Sequence, residues 1–325
     1  MMSSYNRRTF IKGSLAGGAF AAIAGGSKAQ ATVSRSYDVP AASEPLKISI
    51  LSYAFHGLLR EQRMNVFGYL EACKYRYRLS GADIWNGFFP TTDDEFILKV
   101  KDALVQRELE LADLCCDQCH VWDDDEEVRE NNYKNAQRHL EIAKTLGARF
   151  VRIDAGSRAD TWSDEMFDHI VKRYKEYCQY AHDNGFTVGA ENHWGPEKKW
   201  SEMQRLIKAV DHPAFGLSCH LGSWDGDAEA NRIADKEAAP FVSHTHVDWR
   251  RCTGPELHEK LANLWEVGYD GYYSVEHHTG RNEYKEVAVQ LAMVRHKLME
   301  FRDKGTGGPE REMGELPIYR QSPNG

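Results

Sequence analysis

The sequence predicts an α/β protein built as a closed (β/α)8 TIM barrel, on three observations. Short apolar runs alternate with amphipathic helical stretches eight times in about 260 residues. Polar and ionisable residues gather at the carboxyl ends of those runs, where barrel enzymes keep their sites. No glycine-rich phosphate fingerprint follows the first run, which reads SYAFHGLL, and this argues against a doubly wound open sheet.

The first strand is predicted over 46–55, LKISILSYAF, with His56 at its end. Residues 64–79 read as a helix from the spacing of Val66, Phe67, Leu70, Ala72 and Cys73. ADIW at 82–85 is strand two, leading into Asn86, and the Asp93-Asp94 pair opens a helix that runs to about Arg107. Strand three covers 109–119 and ends at His120. The helix after it spans 126–146 and stops at Gly147. Strand four, 148–156, carries Asp154, and Ser163 caps the next helix, which closes at Asn184-Gly185. Strand five is FTV at 186–188, followed by a helix over 200–210. Strand six starts at Ala214, and its helix lies between Asp227 and Ala239, ahead of Pro240. FVSHTHVDW at 241–249 is strand seven, followed by a helix over 255–267. Strand eight is YYSVE, and a last helix spans about 282–302. The remainder, 303–325, is rich in Gly and Pro and expected to be irregular.

The first 31 residues read as an export signal rather than part of the barrel. Arg7-Arg8, with Phe10 and Lys12, precede the weakly apolar run SLAGGAFAAIAGG and a small-x-small site at Ala29-Gln30-Ala31. This order resembles the twin-arginine signal, which implies a periplasmic protein exported already folded. The run is too short and too rich in Gly and Ala to span a membrane stably. Residues 32–45 form a polar linker, and the barrel is assigned to 46–302. Without residues 1–31 the chain holds 37 basic against 49 acidic side chains, a formal charge of −12. Such a charge disfavours nucleic acid as a partner. Seven cysteines form no disulfide framework. Cys115, Cys116 and Cys119 lie on an apolar strand with no second CxxC to answer them, so packed thiols are expected there rather than a zinc site.

Four consecutive strands end in metal-ligand residue types. Glu191 follows FTVGA, His220 follows FGLSC, His246 closes an HxH, and Glu276 follows YYSV. An unpaired carboxylate behind an apolar strand is costly to bury, so a shared partner is the economical reading. Two carboxylates and two imidazoles suit Mn²⁺, Co²⁺, Fe²⁺ or Zn²⁺ better than Ca²⁺ or Mg²⁺. One divalent metal is therefore expected, manganese first. His193 and His120 are spare imidazoles suited to acid–base work or to orienting a carboxylate. His56, Trp85, Asn86, Asp154, Trp194, Trp249, Arg250 and Arg281, all near strand ends, are candidates for holding substrate.

Over residues 46–302 the chain resembles the sugar phosphate isomerase/epimerase superfamily, the xylose isomerase-like barrels, and in particular ketose 3-epimerases and inosose dehydratases. That resemblance implies Glu, Asp, His and Glu ligands on strands five to eight. Glu191, His246 and Glu276 match the first, third and fourth. At strand six the family pattern Asp-x-x-His is replaced by His220 and Ser223, which leaves one negative charge fewer and favours borderline metals. The resemblance further implies that Glu191 and Glu276 move a proton on opposite faces of the substrate.

The expected function is a metal-dependent sugar isomerase or epimerase, transferring a proton beside a carbonyl through a metal-stabilised enediolate. The alternative is a lyase or dehydratase acting on a keto-sugar or 3-keto-glycoside. A non-catalytic sugar-binding barrel and an endonuclease-like phosphodiesterase rank lower. The expected partner is a small sugar or glycoside, and the sequence leaves homo-oligomerisation open.

Overall fold

The computed structural model describes residues 46–305, so the export signal, the linker and most of the C-terminal tail lie outside the described residues. Eight short parallel strands form the barrel wall: β1 (Ile48–Ile50), β2 (Gly81–Trp85), β3 (Glu110–Cys116), β4 (Phe150–Ile153), β5 (Thr187–Gly189), β6 (Leu217–His220), β7 (Val242–Val247) and β8 (Tyr273–Val275). They pair in two ladders, β2-β3-β4-β5 and β6-β7-β8-β1. Lone bridges complete the ring, Leu51 with Asp83 on one side, Val188 with Phe215 and Glu191 with Ser218 on the other. Every strand is followed by helix, and no helix among the described residues is long and apolar enough to cross a membrane.

The helix boundaries follow their capping chemistry. Asp125 accepts hydrogen bonds from the Glu127 and Val128 amides, so the helix Glu126–Leu146 starts there, and it ends on Gly147 at φ 71°. Ser163 caps Asp164–Asn184, which ends on Gly185 at φ 79°. Isoleucine, leucine, valine and aromatic side chains from helices and strands fill the space between the two layers, with Tyr69, Tyr174 and Phe55 among the largest fully buried.

Several strands are shorter than the sequence predicts. The run expected as strand over 46–55 becomes helical from Ser52, as a 3-10 turn Ser52–Phe55 and then the helix His56–Arg60. The Ser52 hydroxyl accepts from the Trp85 amide (2.8 Å), so a side chain takes the place of a ladder bond. The helix expected over 64–79 is Val66–Glu71 continued by a π-turn Ala72–Arg76. Strand seven stops at Val247 because Asp248 caps a further helix, Trp249–Thr253, accepting from the Arg251 amide (2.8 Å).

Candidate metal centre and active-site mouth

The strand ends place the four ligand candidates together. β5 and β6 approach closely enough that a Cβ on Gly189 would come within 1.6 Å of the Gly216 carbonyl oxygen, so only glycine fits there. Beyond that contact Glu191 bridges to Ser218 of β6, while His220 and His246 stand opposite one another in the β6–β7 register. Glu276 follows β8. Glu191, His246 and Glu276 each offer a ligand atom within 4.8 Å of the others. Nδ1 of His246 is 2.7 Å from Glu191 Oε1. Nδ1 of His220 is 3.5 Å from the same oxygen and 3.7 Å from Glu276 Oε2, so it touches both carboxylates. All four side chains are buried.

Electrostatics in this cluster favour positive charge. Burial alone would raise the Glu191 carboxyl, yet His246, His193 and His220 hold it well below the usual range. Burial opposes the shift at Glu276 too, but His278, His220 and His246 bring it down to about 2. His220 rises to about 10 against its own burial, through Asp248, Glu191 and Glu276. Nε2 of His220 and Nε2 of His246 are buried without a hydrogen-bond partner. Two ionised carboxylates and two imidazoles that turn Nδ1 toward them are a donor set that fits one divalent transition metal.

Beneath the cluster lies a second layer that the strand-end pattern does not announce. Asp83 of β2 accepts from the Ser49 (2.7 Å) and Ser274 hydroxyls, with His244 Nε2 3.4 Å away. Asp113 of β3 is 3.8 Å from His246 Nε2 and takes the Arg152 amide (3.2 Å). Burial pushes Asp113 up to about 6 against the pull of His244 and His246. Arg152 of β4 is buried and forks between Asp154 and Asp117, with Nε 3.5 Å from Glu191 Oε2. Each of these residues is a lone charge interrupting an apolar strand, and that interruption was the available signal. His278, 3.2 Å from Glu276, completes this set. Away from the centre, Cys116 and Cys119 gather with His139 of the helix Glu126–Leu146, a neighbour their strand does not reveal.

The remaining sequence candidates divide. His193 faces Asp154 (3.6 Å) and Glu191 (3.8 Å), and Asp154 accepts from the Trp194 indole (3.1 Å). His120 turns away from the cluster toward Asp123 (3.0 Å) and Asn132 (2.9 Å). His56 stacks on Tyr53, which meets Trp85 edge-on and lies near His278. Trp85 donates to Asp117 (2.7 Å), and the Asn86 amide clasps the Asp117 backbone at both ends, which makes Asn86 a support for the loop after β3. Arg250 is exposed and lines a cavity of about 740 Å³ with His193, His220, Ser223 and His278. Trp249 lies beside His277, and Arg281 is exposed on the loop after β8. A groove of about 890 Å³ at the other end of the barrel, around Arg149 and Asp270, contains none of these candidates.

Comparison with known proteins agrees with the architecture. The family model described as xylose isomerase-like TIM barrel matches residues 76–295. No curated protein matches the sequence. Among solved structures, the E. coli 3-keto-D-glucoside 4-epimerase in its apo form superposes with a TM-score of 0.60 at 18% identity, over 78% of this chain and 100% of that one. A probable 3-DHS dehydratase from Bacillus anthracis gives 0.58 at 13%, covering 77% and 99%. A xylose isomerase-like barrel from Mycobacterium smegmatis in complex with magnesium gives 0.56 at 16%, covering 77% and 98%. At such identities the likeness is one of fold.

Proposed function

Because the chain belongs to the xylose isomerase-like TIM barrel family, we propose that it is a metal-dependent sugar isomerase or epimerase that moves a proton beside a carbonyl. The observation that carries this reading is the convergence of Glu191, His246 and Glu276 within 4.8 Å, with His220 in contact with both carboxylates. These four residues would hold one divalent cation, manganese first, with cobalt, zinc and iron as alternatives. When bound, such an ion supplies Lewis-acid stabilisation of negative charge developing on a sugar carbonyl.

The chain's own groups supply the rest. Glu191 and Glu276 are kept ionised by their imidazole neighbours and so stand ready to accept a proton. They come from different strands, after β5 and β8 with β6 and β7 between, which suits removal of a proton by one and its return by the other. Arg152 fixes Glu191 from behind, and His278, on the cavity side, pairs with Glu276. The Asp154 carboxylate, anchored by Arg152, orients His193 at the cavity edge.

Elimination from a keto-sugar or 3-keto-glycoside is the second reading. It is favoured by His193, which faces the cavity outside the four-residue cluster and is placed to protonate a departing oxygen. Relatives of both kinds support a sugar-modifying role, since the solved neighbours include an epimerase and a probable dehydratase. We further propose periplasmic export by the twin-arginine route, on the order of segments in residues 1–31.

Elemental analysis of the mature protein before and after chelation, beside His220→Ala, tests the metal. Near-stoichiometric Mn, Co, Zn or Fe that falls in the variant is expected. Turnover of keto-sugars and oxidised glycosides in D₂O then separates deuterium incorporation at a retained carbon from loss of a leaving group. A protein that neither holds nor takes up metal, and exchanges no proton, leaves only a sugar-binding barrel.

A further inference from the structure

The mouth holds a second cavity of about 300 Å³ on the β3–β5 side, lined by His120, Trp122, Asp123, Ser157, Arg158 and Trp194. It adjoins the catalytic cavity through two successive residues, because His193 lines one and Trp194 the other, with ring centroids 5.1 Å apart. Both side chains lean on one carboxylate, Asp154. That anchor holds the Trp194 indole in place although it remains 45% exposed. A large aromatic face fixed by its N–H and left open to solvent at a cavity is a sugar platform more readily than a packing element.

The rest of the lining is polar and preorganised. His120 is fixed by Asp123 and Asn132. Trp122 is buried, its indole N–H donates to Asp124 (3.0 Å), and the Arg129 guanidinium covers its ring. Arg158 is exposed at the rim and makes no hydrogen bond or ion pair with another described residue. The wall beside it is strained. Ser157 holds φ at 81° and Gly156 at 83°, and this lets the backbone close on Trp122, whose carbonyl a Cβ on Gly156 would meet at 2.2 Å. Against the one arginine stand Asp123 and Asp124, so the lining does not favour an anion. Aromatic faces with mixed donors and acceptors and no net positive charge suit an uncharged, hydroxyl-rich ring.

We propose that this cavity is a subsite for the second ring of a glycoside, so that the substrate is a keto-glycoside of disaccharide frame rather than a free keto-hexose. The proposal rests on the keto-sugar reading above and adds to it the part of the substrate that does not react. A second ring held there would bind alike in the ground and transition states, so its contribution would appear in KM. His120 then belongs to the subsite and not to the proton-transfer machinery.

The test compares the 3-keto derivatives of cellobiose, lactose, trehalose and sucrose with 3-keto methyl β-glucoside, following solvent deuterium incorporation or loss of the leaving group. At least one disaccharide should exceed the methyl glucoside in kcat/KM by about 10-fold or more, the scale of one well-placed ring contact. Arg158→Ala and Asp123→Ala, both on the surface loops, should raise KM for that disaccharide about 5- to 20-fold and leave its kcat and the methyl glucoside unchanged. Equal kcat/KM for the methyl glucoside and every disaccharide overturns the subsite while leaving the proposed function standing. If no compound reacts, the 3-keto-glycoside reading falls, and calorimetry with the unoxidised sugars decides the subsite alone. Disaccharide binding that exceeds methyl glucoside and weakens in Arg158→Ala supports it, and equal binding overturns it.

Discussion

His246 Nδ1 lies 2.7 Å from Glu191 Oε1, a contact that passes over the end of β6 to join β7 to the residues after β5. It brings a carboxylate and an imidazole into one cluster although 55 residues separate them. Converting Glu191 to Gln removes the charge and keeps the shape. Glu191→Gln and Glu276→Gln should each lose bound metal and turnover together, by more than the roughly 10- to 100-fold typical of outer-shell changes. Metal content and kcat measured on the same preparations check this, and full activity in Glu276→Gln would refute the site.

His220 stands where the resembling family has aspartate, so its replacement reports on metal preference. His220→Ala should lower occupancy. His220→Asp should restore occupancy while shifting selectivity toward harder ions such as Mg²⁺ and Mn²⁺, because an oxygen replaces a nitrogen and adds a negative charge. Competition between Mn²⁺ and Zn²⁺ for the two proteins gives the comparison, and an unchanged preference would remove His220 from the ligand set.

Glu197 is wholly buried, accepts the Ala155 amide at 2.6 Å, and has its other oxygen unpartnered. Burial and the Asp154 charge raise its pKa well above the ordinary glutamate range. The folded state thus keeps a proton that the unfolded chain gives up above about pH 4.3, so this residue subtracts stability as pH rises through that window. Glu197→Gln should therefore melt higher than the parent by a margin that grows from pH 4 upward. Glu197→Ala, which abandons the Ala155 amide, should cost about 1–3 kcal/mol near pH 4 and less as the pH rises, because it removes the same titration. Thermal denaturation across pH 4–8 separates the two.

Lys260 and Asp235 form a buried ion pair at 2.7 Å, and Asp235 also takes the Gly222 amide and the Trp224 indole, both at 3.0 Å. The pair therefore pins the loop that follows His220. Lys260→Met leaves an uncompensated buried carboxylate and should cost about 3–5 kcal/mol. Adding Asp235→Asn should recover part of that loss. A denaturant double-mutant cycle measures the coupling, and additive losses would show the pair to be idle.

The strand ends were legible because Glu or His directly after an apolar run has no inexpensive structural excuse. Helix limits at Gly147, Ser163 and Gly185 were legible because capping chemistry is local. Asp83, Asp113, Arg152 and His278 were not singled out, since a lone charge within or just beyond a strand takes its meaning from partners on other strands. Asp83, for instance, meets Ser274 across 191 residues. The early end of β1 was hidden for a related reason, as Ser52 bonds to Trp85 through its side chain and only the closed ring brings them together.

The thin seam between β5 and β6 has a consequence for how the protein withstands chelation. Backbone bonds cross the seam from the Val188 amide to Ala214, the Gly216 amide to Val188 and the Ser218 amide to Ala190, and beyond them Asn192 stitches the backbone of His220 at both ends, its amide donating to the carbonyl (3.0 Å) and accepting from the N–H (2.7 Å). Glu191 stands on one side of this seam and His220, His246 and Glu276 on the other. A cation shared among them would act as a further clasp across the two half-walls, beyond the last of these backbone bonds. Demetallation would then remove that clasp and lower the midpoint of unfolding, so a chelating buffer would weaken the fold first at this seam.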